Sequence, residues 1–390
     1  MLKTAIIGAG NMGRQHTSTL QSLTAEGLPV LVSVIADVTP DALASVATTS
    51  GVSGTSADWY STVARGDIDV VHICTPNTTH FEIAKAALLH GKHVVCEKPL
   101  ALSAIQSAEL VALAEASGLT GTVCHTYRAY EASELARRLV LTGALGDVHM
   151  VRGGYVQGWL ASPLSWDWRV DPLLGGPSRA MADIGSHWLD LAAFVTGESP
   201  NRLIADLHVV VPRRRRPDTD RTVTGLDEPR PFSDVNVTTE DYGSVMFRTD
   251  TCPGIFTVSQ VSEGHDNTFW LEVDGSEASL TWHSEEPRRV QLRGRNNVTM
   301  IEPSASRSAG PLSVHANAMR RMFVSAYSDI MGTPVSSANR VHATFRDGHR
   351  SAQLLDAILE SAALQQWTSV GSSSPSTHDG FAIASLEASS

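Results

Sequence analysis

Apolar positions in the first third of the chain gather into short runs, separated by stretches whose apolar residues recur at helical spacing. Strands are expected at Leu2 to Ile7, Leu31 to Ala36, Val70 to Cys74, His93 to Cys96 and Thr122 to Cys124. Helices fit between them at Met12 to Leu23, Pro40 to Thr48, Thr79 to His90 and Ser103 to Ser117. Strand and helix in alternation mean βαβ units on a parallel sheet. The nearly continuous apolar character of the last two strands suits a sheet covered on both faces. Past about His125 the period shortens to two, at Asp147 to Val156, Leu203 to Val211, Ser244 to Phe247, Ile255 to Val261, Phe269 to Val273 and Ala278 to Trp282. Leu312 to Ile330 and Arg346 to Ala363 return to helical spacing, and no internal repeat is evident. The fold class predicted is α/β: a parallel-sheet domain over 1–125, then an α+β domain over 126–370 with a large, mostly antiparallel open sheet. Residues 371–390, rich in Ser, Pro and Thr, are expected to be a mobile tail.

Composition narrows the partners. The 390 residues are 42% hydrophobic, enough for two cored domains, and carry a formal charge of -11, which argues against nucleic acid or an anionic membrane as partner. The basic cluster Arg213 to Arg216, set between prolines, is read as a solvated loop. Cys74, Cys96, Cys124 and Cys252 lack the spacing of a disulfide framework or zinc site and are expected to be buried thiols; no metal is expected. The first strand starts within two residues of Met1 and no apolar run approaches a membrane span, so a cytoplasmic protein is expected.

The first strand runs into Gly8-x-Gly10-x-x-Gly13 and then a helix. In that setting the first glycine permits a tight turn, the second lets backbone approach a pyrophosphate and the third allows close strand-to-helix packing. The helix N-terminus, with Asn11 and Met12, offers free N–H groups to the phosphates. Asp37, ending the second strand, stands near the offset at which a carboxylate accepts the ribose 2′-hydroxyl. Asp37 would repel a 2′-phosphate and has no Arg beside it, which favours NAD over NADP, and the 1–125 domain is read as an NAD-binding Rossmann domain.

Three further segments carry candidate chemistry. Thr75-Pro76-Asn77 with His80 follows a parallel strand at its carboxyl end, where a turn overlies the cofactor; helix capping by Asn77 or Thr78 fits equally. Glu97-Lys98-Pro99 ends a buried strand, placing an ammonium near the crevice with Glu97 to hold it or touch the nicotinamide ribose. A surface ion pair is the plain alternative. Asp183 and His187, four apart, share a face if the segment from Ala180 is helical, which suits an acid/base pair, two metal ligands or a helix-surface hydrogen bond.

In this order and spacing, Gly8-x-Gly10-x-x-Gly13, Glu97-Lys98-Pro99 and Asp183-x-x-x-His187 resemble the Gfo/Idh/MocA family of sugar and cyclitol oxidoreductases. The likeness extends through Thr75-Pro76-Asn77, Tyr127-Arg128, Trp168-Arg169, Gly264-His265-Asp266-Asn267 leading into Asp274-Gly275-Ser276, and Thr344-Phe345-Arg346-Asp347-Gly348. The resemblance implies NAD as cofactor, Lys98 orienting the substrate, Asp183 and His187 as the catalytic pair, and a homo-oligomer, dimer or tetramer, formed through the open sheet. Tyr127, Arg128, Gln157, Trp168 and Arg169 are assigned to substrate beside the catalytic three.

The aromatic and polar tract Gly154 to Arg169 suits stacking on a sugar ring and is similar to members that oxidise glucose-type rings at C3, such as levoglucosan dehydrogenase and glycoside 3-dehydrogenases. Two other activities of such proteins stay open: inositol 2-dehydrogenation, and glycosidic cleavage through transient oxidation by bound NAD. A non-catalytic sensor is disfavoured by the complete set Lys98, Asp183 and His187. The family often has a small residue where Arg179 stands and an Asn near His125; Arg179 is read as lying at the mouth of the site.

Overall fold

The computed structural model describes residues 1–217, 231–303, 313–333, 336 and 339–371. The first sheet has seven strands in the spatial order Ala343–Thr344, Gly121–Val123, His93–Cys96, Val70–Ile73, Leu2–Ile7, Val30–Ala36 and Thr55–Ser56. All its pairings are parallel except that of Ala343–Thr344 with Gly121–Val123. Helices Asn11–Ala25, Pro40–Ser50, His80–Leu89 and Ala104–Ser117 fall where helical spacing places them, within two residues. Ile6, Val70, Val71, Val94 and Val95 are wholly buried, as strands covered on both faces require.

The second sheet has nine strands, in the order Val298–Ile301, Val290–Gly294, Ala278–His283, Thr268–Gly275, Val148–Val156, Pro253–Ser259, Tyr242–Arg248, Arg202–His208 and Thr368–Ser369. Only the pairing of Val148–Val156 with Pro253–Ser259 is parallel. Period-two alternation sends Val245, Phe247, Phe256, Leu271, Leu280 and Trp282 inward, against helices Glu131–Leu141, Ser186–Thr196 and Phe345–Leu364. Met246 and Ile255, cross-strand partners on the other face, stay exposed.

Two expectations change. The Arg213 to Arg216 cluster is not a solvated loop: Arg213–Pro217 is a strand paired with Phe232–Asn236. Its alternation turns Arg214 inward, where Asp241 accepts its guanidinium at 2.9 Å and the Leu160 and Ser162 carbonyls take other protons. The second domain also holds more helix than alternation suggests, namely Glu131–Leu141 and a π-helical turn, Met181–Gly185, running into Ser186–Thr196. The expected tail lies, from 372 onward, outside the described residues. Among the described residues no helix is long and apolar enough to cross a membrane.

Candidate active site

The glycine turn has the geometry its residues require. Gly8 takes φ +101°, and a Cβ there would lie 2.6 Å from the Cys74 carbonyl oxygen; one on Gly13 would lie 1.9 Å from that of Gly8. Gly10 by contrast has nothing within 4 Å of where its Cβ would be, and no side chain caps the helix it precedes. An open glycine face beside uncapped amides fits a dinucleotide pyrophosphate. Asp37 accepts from the Ala9 amide at 2.6 Å and the Thr39 amide at 2.8 Å, fixing its carboxylate beside the turn at the carboxyl end of Val30–Ala36.

The loop after Val70–Ile73 is tied down rather than open. Thr79 donates to the Thr75 hydroxyl at 2.6 Å, and Asn77 donates to the Gly175 carbonyl of the second domain at 3.0 Å. His80 does not reach the crevice. Its ring is wholly buried, with the Pro99 and Thr75 carbonyls 2.7 and 2.9 Å from its two nitrogens. It therefore braces the loop carrying Lys98 against the loop carrying Thr75.

A cavity of about 730 Å³ lies between the two sheets, with Met12, Glu97 and Lys98 on one wall and Gln157, Arg169, Asp183 and His187 on the other. The π-helical turn that presents Asp183 starts on Glu240, a buried carboxylate accepting from the Ser178 hydroxyl and from the Arg179 and Met181 amides at 2.7 to 2.9 Å. Beneath it Arg179 and Arg214 both donate to Asp241, all three wholly enclosed. Arg179 is thus part of the footing and not of the mouth.

Asp183 collects three donors: Lys98 Nζ at 2.6 Å, Arg169 Nε at 3.0 Å and Gln260 Nε2 at 2.8 Å. Burial pushes its pKa up, but Arg169 and Lys98 outweigh this and hold it well below the usual carboxylate range. Lys98 also donates to the Asp183 carbonyl at 2.9 Å, bridging the domains. Asp183 and His187 share a wall without a hydrogen bond between them; the carboxylate is committed to its two cations and one amide.

His187 lies with its Nδ1 buried and free of any hydrogen bond. Its pKa falls well below the ordinary value, first from burial and then from the Lys98 and His125 charges, with Asp183 opposing. A neutral imidazole at this position can take a proton. The Tyr127 and His125 rings stand edge-on to it, with centroids 5.1 and 5.8 Å away.

Along the same wall, Asn267 Oδ1 accepts from Gln157 Nε2 at 2.6 Å and from the Tyr155 hydroxyl at 2.9 Å, while Trp159 donates to Gln157 at 2.8 Å. Two assigned residues stand behind this wall: Tyr127 hydrogen-bonds Tyr155, and Trp168 lies under the Arg169 guanidinium at 4.5 Å. Arg128 does not line the cavity: it is bidentate to Asp190 at 2.6 and 2.7 Å, one turn along the helix bearing His187; a paired, buried guanidinium is structural. Gln260 and His315 also belong to the site and escape sequence reasoning. Gln260 follows a strand by one residue and His315 opens a helix, neither within a local motif.

A dinucleotide turn facing a lysine, a carboxylate and an imidazole across a domain seam defines a two-domain, NAD-linked oxidoreductase. The chain belongs to the Gfo/Idh/MocA family: residues 2–125 match its oxidoreductase family, NAD-binding Rossmann fold, and residues 134–281 its C-terminal domain. Levoglucosan dehydrogenase of Pseudarthrobacter phenanthrenivorans is 29% identical over 95% of this chain and 98% of its own. Glucose-6-phosphate 3-dehydrogenase of Bacillus subtilis is 24% identical over 95% of this chain and 99% of its own. A solved levoglucosan dehydrogenase in complex with NADH and levoglucosan superposes with TM-score 0.82 at 27% identity, over 95% of this chain and 99% of that one.

Proposed function

We propose that the protein oxidises a secondary hydroxyl of a sugar, cyclitol or glycoside with NAD, at C3 of a glucose-type ring. The observation that carries this reading is the meeting of Lys98 and His187, from different domains, in one cavity beside the glycine turn. Two relatives named for sugar oxidation, one of them at position 3, support the substrate class. Asp37 supports NAD over its 2′-phosphorylated form.

Bound NAD supplies the hydride acceptor at its nicotinamide C4. Gly8, Gly10 and Gly13 with the Asn11 and Met12 amides would hold its pyrophosphate and Asp37 its ribose, with Thr75, Pro76, Asn77 and Glu97 beside it. Lys98 donates to the reacting hydroxyl and polarises it. Neutral His187 takes the hydroxyl proton as the C–H hydride leaves, and returns it in the reverse direction. Asp183 holds Lys98 and Arg169 in place, and Gln157 and Arg169 bind neighbouring hydroxyls. General base assistance of this kind is worth about 10² to 10⁴ in rate.

The exposed sheet face around Met246 and Ile255 supports assembly of copies through that sheet, and four free thiols suit a reducing cytoplasm. The test is a panel of hexoses, glucosides, 1,6-anhydrosugars and inositols, read by absorbance of reduced nicotinamide. Net NADH with a pyranose, and a 3-keto product by NMR, is expected. Glycoside cleavage without net NADH would overturn the dehydrogenase reading.

A further inference from the structure

A second cavity, of about 260 Å³, opens among helices Glu131–Leu141, Ser186–Thr196 and Phe345–Leu364 and shares no lining residue with the catalytic cavity. Arg128, Arg137, Arg340 and Arg350 line it, with Asp347 as the one lining carboxylate among the described residues. Three of these guanidiniums have counter-charges. Arg128 pairs with Asp190 and Asp347, Arg350 reaches Asp347 at 3.6 Å, and Arg340 approaches Asp329 at 3.3 Å.

Among the described residues Arg137 has no carboxylate partner. It donates Nη1 to the Phe194 carbonyl and lies over the Phe194 ring at 4.7 Å, while its Nε is buried with no acceptor. His342, 1% exposed on the same wall, bonds Ser325 through Nδ1 and faces Asp329 through Nε2 at 3.3 Å, so it is occupied by protein atoms. Among the described residues the cavity therefore has one cation more than its carboxylates neutralise, and the buried Arg137 Nε–H is left without an acceptor. Burial, and then repulsion from Arg128, lower the Arg137 pKa, as expected where a guanidinium lacks its anion.

We propose that this cavity is a binding site for a small oxyanion, a phosphate or phosphoryl group seated between Arg137, Arg340 and Arg350. Planar guanidiniums present paired N–H groups that match a tetrahedral oxyanion. Arg350, with its side chain 48% exposed, forms the mouth, so the ligand enters from solvent without passing the catalytic cavity. The proposal does not depend on which sugar is oxidised.

The experiment is calorimetric titration of the full chain, saturated with NADH so that the dinucleotide phosphate site is filled, at constant ionic strength in chloride. Inorganic phosphate and glycerol phosphate are the two arms. Saturable one-to-one binding of either is expected: preference for inorganic phosphate marks a free-ion site, preference for the ester a phosphorylated metabolite. Arg137→Gln should weaken it by at least about tenfold, the scale of one charge-assisted hydrogen bond. Arg350→Gln, at the half-exposed mouth and safe for folding, should weaken it by a smaller factor. Absence of saturable binding at millimolar concentration, or binding unchanged in Arg350→Gln, would overturn the site.

Discussion

The two walls of the catalytic cavity are held in place by different physics. On the dinucleotide side, backbone does the positioning: Gly8 and Gly13 stand where any Cβ would strike a carbonyl, and Lys98 follows a buried strand. On the other side, side chains position one another. Asp183 gathers Lys98, Arg169 and Gln260, and the turn that bears it rests on Glu240 and on two buried arginines sharing Asp241. The first wall tolerates almost no change of shape; the second tolerates shape but not loss of charge. Backbone-built walls bind what is constant across a family, while side-chain networks can be re-bonded for a new substrate.

Five experiments bear on that contrast, the largest effect first. Gly13→Ala forces a methyl into the Gly8 carbonyl, and NADH binding measured by fluorescence titration should be abolished; retained affinity would mean that the turn yields. Asp241→Ala leaves two guanidiniums buried without their anion and should cost about 3–5 kcal/mol in urea unfolding. Arg215→Ala, one residue along on the exposed side, should stay within about 0.5 kcal/mol, and equal losses would erase the distinction between buried and solvated arginines. His187→Ala should lower kcat by about 10² to 10⁴ with NADH affinity unchanged. In the unaltered enzyme, protonation of His187 removes the base, and its depressed pKa delays that step. Activity in the oxidative direction should thus persist below pH 6.5, the ordinary histidine value, and an acid limb at or above it would remove His187 as the base.

Legibility in the sequence follows the same division. The glycine turn, Asp37 and Lys98 are readable because parallel strands deliver their loops in chain order to one edge of a sheet. Asp183 and His187 were legible as a spaced pair, but not their separation: Asp183 turns to Lys98, Arg169 and Gln260, the last contributed from 77 residues away. Arg128, Arg179 and His80 illustrate the converse. Each is a polar residue near a motif whose partners, Asp190, Asp241 and two carbonyls, come from other elements, and no local pattern shows whether a charge is spent internally or offered to a ligand. Arg214 looked solvated because a run of arginines conceals a strand's alternation.

The first sheet is not closed by the first domain. Its last edge, at Gly121–Val123, is covered by Ala343–Thr344, and the adjoining Phe345 ring sits where a Cβ on Gly121 would be. During synthesis the nucleotide-binding half therefore emerges with a bare strand edge, ready to pair with any extended chain, until more than two hundred further residues have followed. Chains interrupted before residue 343 should accumulate as aggregates rather than as a free-standing cofactor module.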